Sequence, residues 1–244
     1  MKNENIRDPY LYEDAPVLRN KAGIKDKGEL AKLEGILTKA AINSVYAMKY
    51  TKFDTSTIQD IHRQIFGGLF DWAGEFRSIL MTKSERVLGN DTARYAYPAE
   101  IKKQLNGASK EISKLKGIKD KRELVIKLSR ITASIWQTHP FREGNTRAIV
   151  SFTILLANHL GVKLDNVLLK EHASFVRDSL VVASQGIYSE YEHIERIFLD
   201  AAGLESSEGV QPSSLSNGAD KYKSIKGYDV SVYEEKPHVY FEEA

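Results

Sequence analysis

The chain has 244 residues, 42% of them hydrophobic, and its 35 basic and 33 acidic residues leave a formal net charge of +2. So even a balance argues against a general nucleic-acid binder, which carries a concentrated basic excess. The absence of cysteine excludes disulfides, thiolate metal sites and thiol nucleophiles.

Taken in order, the chain predicts an extended arm to about residue 25 and then helices over 27–50, 55–66, 99–115, 121–138, 144–160, 165–183 and 189–202. Gly23 and Lys25-Asp26-Lys27 mark the start of the first helix, and Gly161 closes the central one. Between the second and third helices, 78–82 and 94–97 read as two short extended stretches around a turn-rich centre at Gly89-Asn90-Asp91. The expected fold is all-α with one small β-hairpin, in a domain spanning 1–203. A linker follows over 204–219, rich in Ser, Glu, Gly and Asn, and then an aromatic-rich tail over 220–244. That tail, with Tyr222, Tyr228, Tyr233, Tyr240 and Phe241, docks on its own domain, binds a partner or orders on binding; docking is favoured because exposed aromatics are costly. No apolar run is long enough to cross a bilayer and the start is polar, so no membrane association is expected. The expected compartment is the cytoplasm, with delivery into another cell left open.

The densest chemistry lies at His139-Pro140-Phe141-Arg142-Glu143-Gly144-Asn145-Thr146-Arg147. Leu124, Leu128, Ile131 and Ile135 bring a helix to His139, and Pro140 ends it, because a proline disfavours helical geometry in the residue before it. Phe141 is the expected inward anchor of the loop, its burial worth roughly 1.5–3 kcal/mol. Downstream, Ala148, Ile149, Val150, Phe152, Ile154, Leu155, Leu156 and Ala157 put apolar groups on every side of a buried helix. The start of that helix is polar. Its unpartnered first-turn amides and the positive end of its dipole form an anion site at Gly144, Asn145 and Thr146, with Arg147 as a fixed cation. Glu143, directly before those amides, conflicts with an anion unless a cation such as magnesium bridges carboxylate and phosphates. A neutral imidazole at His139 completes a nucleotide site with a proton acceptor.

These nine residues resemble the active-site loop of the Fic (filamentation induced by cAMP) family, patterned His, any, Phe, any, Asp or Glu, Gly, Asn, Gly, Arg, two of any kind, Arg. Phe70-Asp71-Trp72-Ala73-Gly74-Glu75-Phe76-Arg77 is similar to the segment leading into that family's target-binding hairpin, and residues 8 to 202 fit the domain. The resemblance implies a mainly helical Fic fold with a hairpin flap over the active site. It also implies a protein adenylyltransferase that moves AMP from ATP to a Ser, Thr or Tyr hydroxyl of a target protein, with Mg2+. His139 would be the base, Glu143 the metal ligand, and Arg142, Gly144, Asn145, Thr146 and Arg147 the phosphate-binding set. Lys83 and Tyr95 would orient the target on the flap by strand addition. A phosphate-transferring relative and a nucleotide-binding regulator are the alternatives.

Two residues depart from the pattern. Thr146 replaces its second glycine, and Val150 stands where it has its second arginine. An inhibitory helix of the family, Ser or Thr, three of any kind, Glu, then Gly or Asn, has no intact copy: Leu30 precedes Glu34-Gly35, and Ser231 to Glu235 is followed by Lys236. Both partial matches read as coincidence. Inhibition is therefore expected to be absent or to come from a small antitoxin-like protein. His62, His159, His172, His193 and His238 receive no catalytic role, and the sequence leaves the oligomeric state open.

Overall fold

The chain runs α1 (Lys27–Tyr46), α2 (Thr55–Phe66), β1 (Leu80–Ser84), β2 (Thr92–Arg94), α3 (Ile101–Leu115), α4 (Lys121–Thr138), α5 (Asn145–His159), α6 (Asn166–Glu171), α7 (Ala173–Val182), α8 (Glu192–Ala201) and β3 (Pro237–Tyr240). These elements come from a computed structural model that describes residues 8–89 and 91–204, Tyr222 and Ile225, and the backbone of 237–240. The expectations for residues 1–7, for Asn90 at the turn centre, for the linker to 219 beyond Leu204 and for most of the tail lie outside the described residues.

Aspartates open four of the helices. Asp26, Asp54, Asp120 and Asp165 accept first-turn amide hydrogens of α1, α2, α4 and α6, each cap worth about 1 kcal/mol. The core forms around α5, whose Ala148, Ile149, Phe152, Ile154, Leu155, Leu156 and Ala157 are all buried. Helices α1 and α2 pack against α5 on one side and α4 on the other, and α4 in turn carries α3, α7 and α8. Being apolar all round suits this central position.

The boundaries differ from expectation where side chains pull the chain aside. Helix α1 ends at Tyr46, short of 50. The chain turns there so that Tyr50 can donate to Asp60 of α2 (2.8 Å) and Phe53 can pack edge-on against Phe152. The single helix expected over 165–183 is two, broken at His172, which leaves helical geometry and sets its ring 4.8 Å from that of Tyr222. In the hairpin, β1 pairs antiparallel with β2 through Thr82↔Arg94, Lys83↔Ala93 and Ser84↔Thr92. The second strand stops at Arg94, short of 97; beyond it Tyr95 and Ala96 are both buried, and Ala96 O accepts from Arg77. A third strand, β3, pairs with the other edge of β1, giving the order β2-β1-β3 where a two-stranded hairpin was expected.

Arg77 fixes the root of this sheet. The guanidinium is 2% exposed and donates to the carbonyls of His139 (2.7 Å), Ile79 (2.5 Å) and Ala96 (2.5 Å), while the Arg77 amide donates to Pro140 O (2.8 Å). Burial lowers its pKa to about 10, still far above neutrality, so the cation persists. It joins both strands of the hairpin to the turn that ends α4. Arg77→Met strands these carbonyls without a donor, and urea denaturation should show a loss of about 3–5 kcal/mol in unfolding free energy.

Candidate active site

His139 is the C-cap of α4, at φ 47° and ψ 59°. It is the one non-glycine residue with positive φ among the described residues, a conformation that β-carbon crowding makes costly by about 1 kcal/mol or more. Pro140 excludes the helical alternative, and the Arg77 bond to the His139 carbonyl holds the turn. The ring is buried, and both its nitrogens are without a hydrogen-bond partner. Tyr95 stacks on it at 3.8 Å with 11° between planes, and Trp136 meets it edge-on at 5.3 Å. Burial, reinforced by the charges of Lys83, Arg77 and Arg177, drives its pKa well below the ordinary 6.5. The imidazole is neutral at pH 7 and able to accept a proton.

Phe141 is fully buried, its ring stacked 3.8 Å from that of His62. Asn145 closes the turn around it: its amide oxygen accepts from Phe141 N (2.9 Å) and its amide nitrogen donates to Phe141 O (2.8 Å). The Asn145 side chain is thus a loop clamp. Gly144 at φ 80° is the N-cap of α5, and no side chain caps that helix, so its first-turn amides open onto the pocket. A β-carbon at Gly144 would lie 2.2 Å from the Phe66 ring, so only glycine fits.

A cavity of about 170 Å³ lies over this helix start, lined by Lys83, Trp136, His139, Glu143, Gly144, Asn145, Thr146, Arg147 and Arg177. Its volume suits phosphate groups. Glu143 Oε1 accepts from Gly144 N (2.9 Å), and Oε2 lies 4.0 Å from Lys83 Nζ. Thr146 accepts from Trp136 Nε1 (2.9 Å). Arg147 lies over the Phe66 ring, donates to Thr38 Oγ1 (3.2 Å) and pairs with Glu34. Glu34, whose match to the inhibitory pattern read as coincidence, therefore sits against the loop. Val150 lines an adjoining, mostly apolar cavity of about 480 Å³ with Thr146, Arg147, Ile42, Tyr46 and Ile154.

Of the residues singled out in sequence, Arg142 goes elsewhere. It is 4% exposed and donates from Nε and Nη2 to one oxygen of Asp8, Oδ2 (2.8 and 2.7 Å), which pins the N-terminal arm, and it does not line the phosphate-sized cavity. Lys83 and Tyr95 both reach the site. The flap that bears them is fastened to α7: Glu85, fully buried, takes a bidentate bond from Arg177 (2.8 and 3.0 Å) and another from Tyr95 OH (3.2 Å), and Arg86 pairs with Asp178.

His62 was passed over in sequence because it has no acid or glycine beside it. In the fold, Gly74 N donates to its Nδ1 (2.8 Å), which leaves Nε2 to donate to Glu143 O (2.9 Å). Its position between Ile61 and Ile65 on an amphipathic helix marked it as buried, and the bridge needs contacts distant in sequence. Burial lowers its pKa from 6.5 to about 4. His62 and His139 refuse protons that the unfolded chain accepts, so their contribution to stability is complete above about pH 6.5 and is lost as pH falls, that of His62 through about 4. His62 alone accounts for about 3 kcal/mol. Urea midpoints measured from pH 7 to 4 should fall accordingly, and His62→Gln, which keeps one donor and one acceptor, should flatten the decline.

Comparison with known proteins follows the same lines. The model of the Fic/DOC family matches residues 52–157. Protein adenylyltransferase VbhT of Bartonella schoenbuchensis is 30% identical over 167 residues, covering 67% of this chain and 34% of VbhT. The chain thus spans about a third of that relative's length. Fic of Salmonella typhimurium is 30% identical over 161 residues, 65% of this chain and 76% of that protein. Among solved structures, the BepC protein of Bartonella tribocorum, a VirB-translocated effector with bound AMPPNP, superposes with a TM-score of 0.66. It is 25% identical, and the match covers 79% of this chain and 95% of that one.

Proposed function

The chain belongs to the Fic/DOC family, and from that premise we propose that it is a protein adenylyltransferase, moving AMP from ATP to a Ser, Thr or Tyr hydroxyl of a target protein. One observation carries the reading: a buried, neutral histidine with two unpartnered ring nitrogens faces a phosphate-sized cavity at an uncapped helix start.

His139 takes the proton of the target hydroxyl as its oxygen attacks the α-phosphorus. The bond from that phosphorus to the bridging oxygen breaks, and pyrophosphate leaves with the electron pair. The first-turn amides of α5 and the Arg147 guanidinium hold the phosphates, and Arg177 and Lys83 add positive charge to the same cavity. Tyr95, stacked on His139, keeps water from the base and fixes the plane of the ring.

The donor set fits magnesium. No group of three His, Cys, Asp or Glu side chains suited to a metal occurs among the described residues. Glu143, which lines the cavity at the helix start, would hold a magnesium ion that arrives with the nucleotide. When bound, Mg2+ supplies neutralisation of phosphate charge. No helix among the described residues is long and apolar enough to cross a membrane; the cytoplasm is the proposed compartment, with delivery into another cell as the alternative.

Val150 stands where the family pattern has a second arginine and lines the adjoining apolar cavity, so the transferred group has to be read directly. Incubation of the protein and a cell lysate with ATP labelled at the α-phosphate should label protein, and ATP labelled at γ should not. His139→Ala should abolish the signal, and Glu143→Gln should cut it by about 10²-fold or more. Label from γ alone would replace AMP transfer by phosphate transfer, and no label from either would leave a nucleotide-binding regulator.

A further inference from the structure

An extended target that joined the flap would need a free edge of β1, and this chain supplies that edge with its own C-terminus. In the sheet order β2-β1-β3 the flap strand β1 lies in the middle. The β3 register is Leu80↔Tyr240, Met81↔Val239, Thr82↔His238 and Lys83↔Pro237. Directly opposed positions of an antiparallel pair belong to the same face of the sheet. Along β1, burial alternates so that Met81 and Lys83 turn inward, and Lys83 reaches the Glu143 carboxylate and lines the cavity of His139. The two β3 positions opposite these inward residues are Val239 and Pro237. Neither residue carries a hydroxyl. Tyr240, the one hydroxyl-bearing residue of the strand, is opposite Leu80 and so belongs to the other phase.

A second part of the C-terminus is fixed independently. Tyr222 and Ile225 are buried. Tyr222 packs on His172 and Phe175, lies against the Arg196 guanidinium and donates to Asp200. The segment is therefore held on the α6, α7 and α8 face, beside the helix whose Arg177 and Asp178 fasten the flap.

We propose that β3 is a built-in pseudosubstrate. It occupies the edge that an extended target would pair with and carries no hydroxyl at the positions opposite Met81 and Lys83. The proposal rests on the AMP-transfer reading for what it blocks, and on the strand pairing alone for its presence. Tethered in the same chain, β3 competes at a high effective concentration, so a target gains the flap only by displacing it.

Two measurements on the full chain test this. In hydrogen exchange, the backbone amides of Leu80–Ser84 should exchange about tenfold or more slowly in the native protein than in a variant with His238→Pro and Val239→Pro. Successive amides of a strand point alternately to either side, so prolines at both positions remove a donor to β1 in either phase. Equal exchange in the two proteins would overturn the proposal, whatever the activity.

The second measurement asks whether β3 lies where a target would. Val239→Tyr and Pro237→Tyr, made separately, place a hydroxyl opposite Met81 and Lys83. Incubated with magnesium and ATP, at least one should gain a single AMP on the new tyrosine, at a rate independent of protein concentration and lost with His139→Ala. The native C-terminal segment should stay unmodified. If both variants stay unmodified while the same preparations label lysate protein from α-labelled ATP, the pseudosubstrate role is wrong. If labelling fails everywhere, AMP transfer is what fails, and exchange at Leu80–Ser84 still decides whether β3 covers the edge.

Discussion

The guanidinium of Arg77 is the point on which the rest of the site depends. A cation with rigid, forked donors can satisfy several carbonyls at once, and here those carbonyls come from the end of α4 and from both limbs of the hairpin. A lysine has neither the fork nor the reach for this geometry. Because the same group holds His139 O and the roots of both strands, the base and the flap above it share one mechanical origin, and Tyr95 can stack on the imidazole only while both are in place.

A second constraint acts from below. The His62 ring bridges Gly74 N to Glu143 O and supports Phe141 with its face, so the acidic residue of the loop is positioned through its backbone while its carboxylate remains directed at the cavity. The loop's own clamp, Asn145, adds the two short bonds that make the turn a closed ring. The left-handed backbone at His139 survives because these interactions over-determine it.

Much of this was readable in the sequence, and for identifiable reasons. Local signals were strong at Asp26 and at Pro140, where capping and proline chemistry act within one turn. The apolar periodicity of α5 announced its central position. What the sequence hid depends on long-range partners. Arg142 looked like a phosphate ligand beside Glu143, but Asp8, more than a hundred positions earlier, claims it. Glu34 looked like a coincidence until the fold laid α1 along α5 and set it on Arg147. His62 and Arg77 are buried polar residues whose roles consist of hydrogen bonds to distant backbone, and no spacing rule reports those.

Thr146 takes on a different meaning in the fold. Against the family pattern it is a departure, a β-branched residue in place of a glycine. Its hydroxyl, however, accepts the indole N–H of Trp136, the same side chain whose edge meets His139. The two positions are therefore coupled: restoring glycine at 146 alone would leave the indole nitrogen buried without an acceptor, at a cost of about 1–3 kcal/mol. The departure is thus locked in by its neighbour. A path back to the common pattern has to pass through position 136 first, which makes the order of substitutions, and not only their identity, a property of this active site.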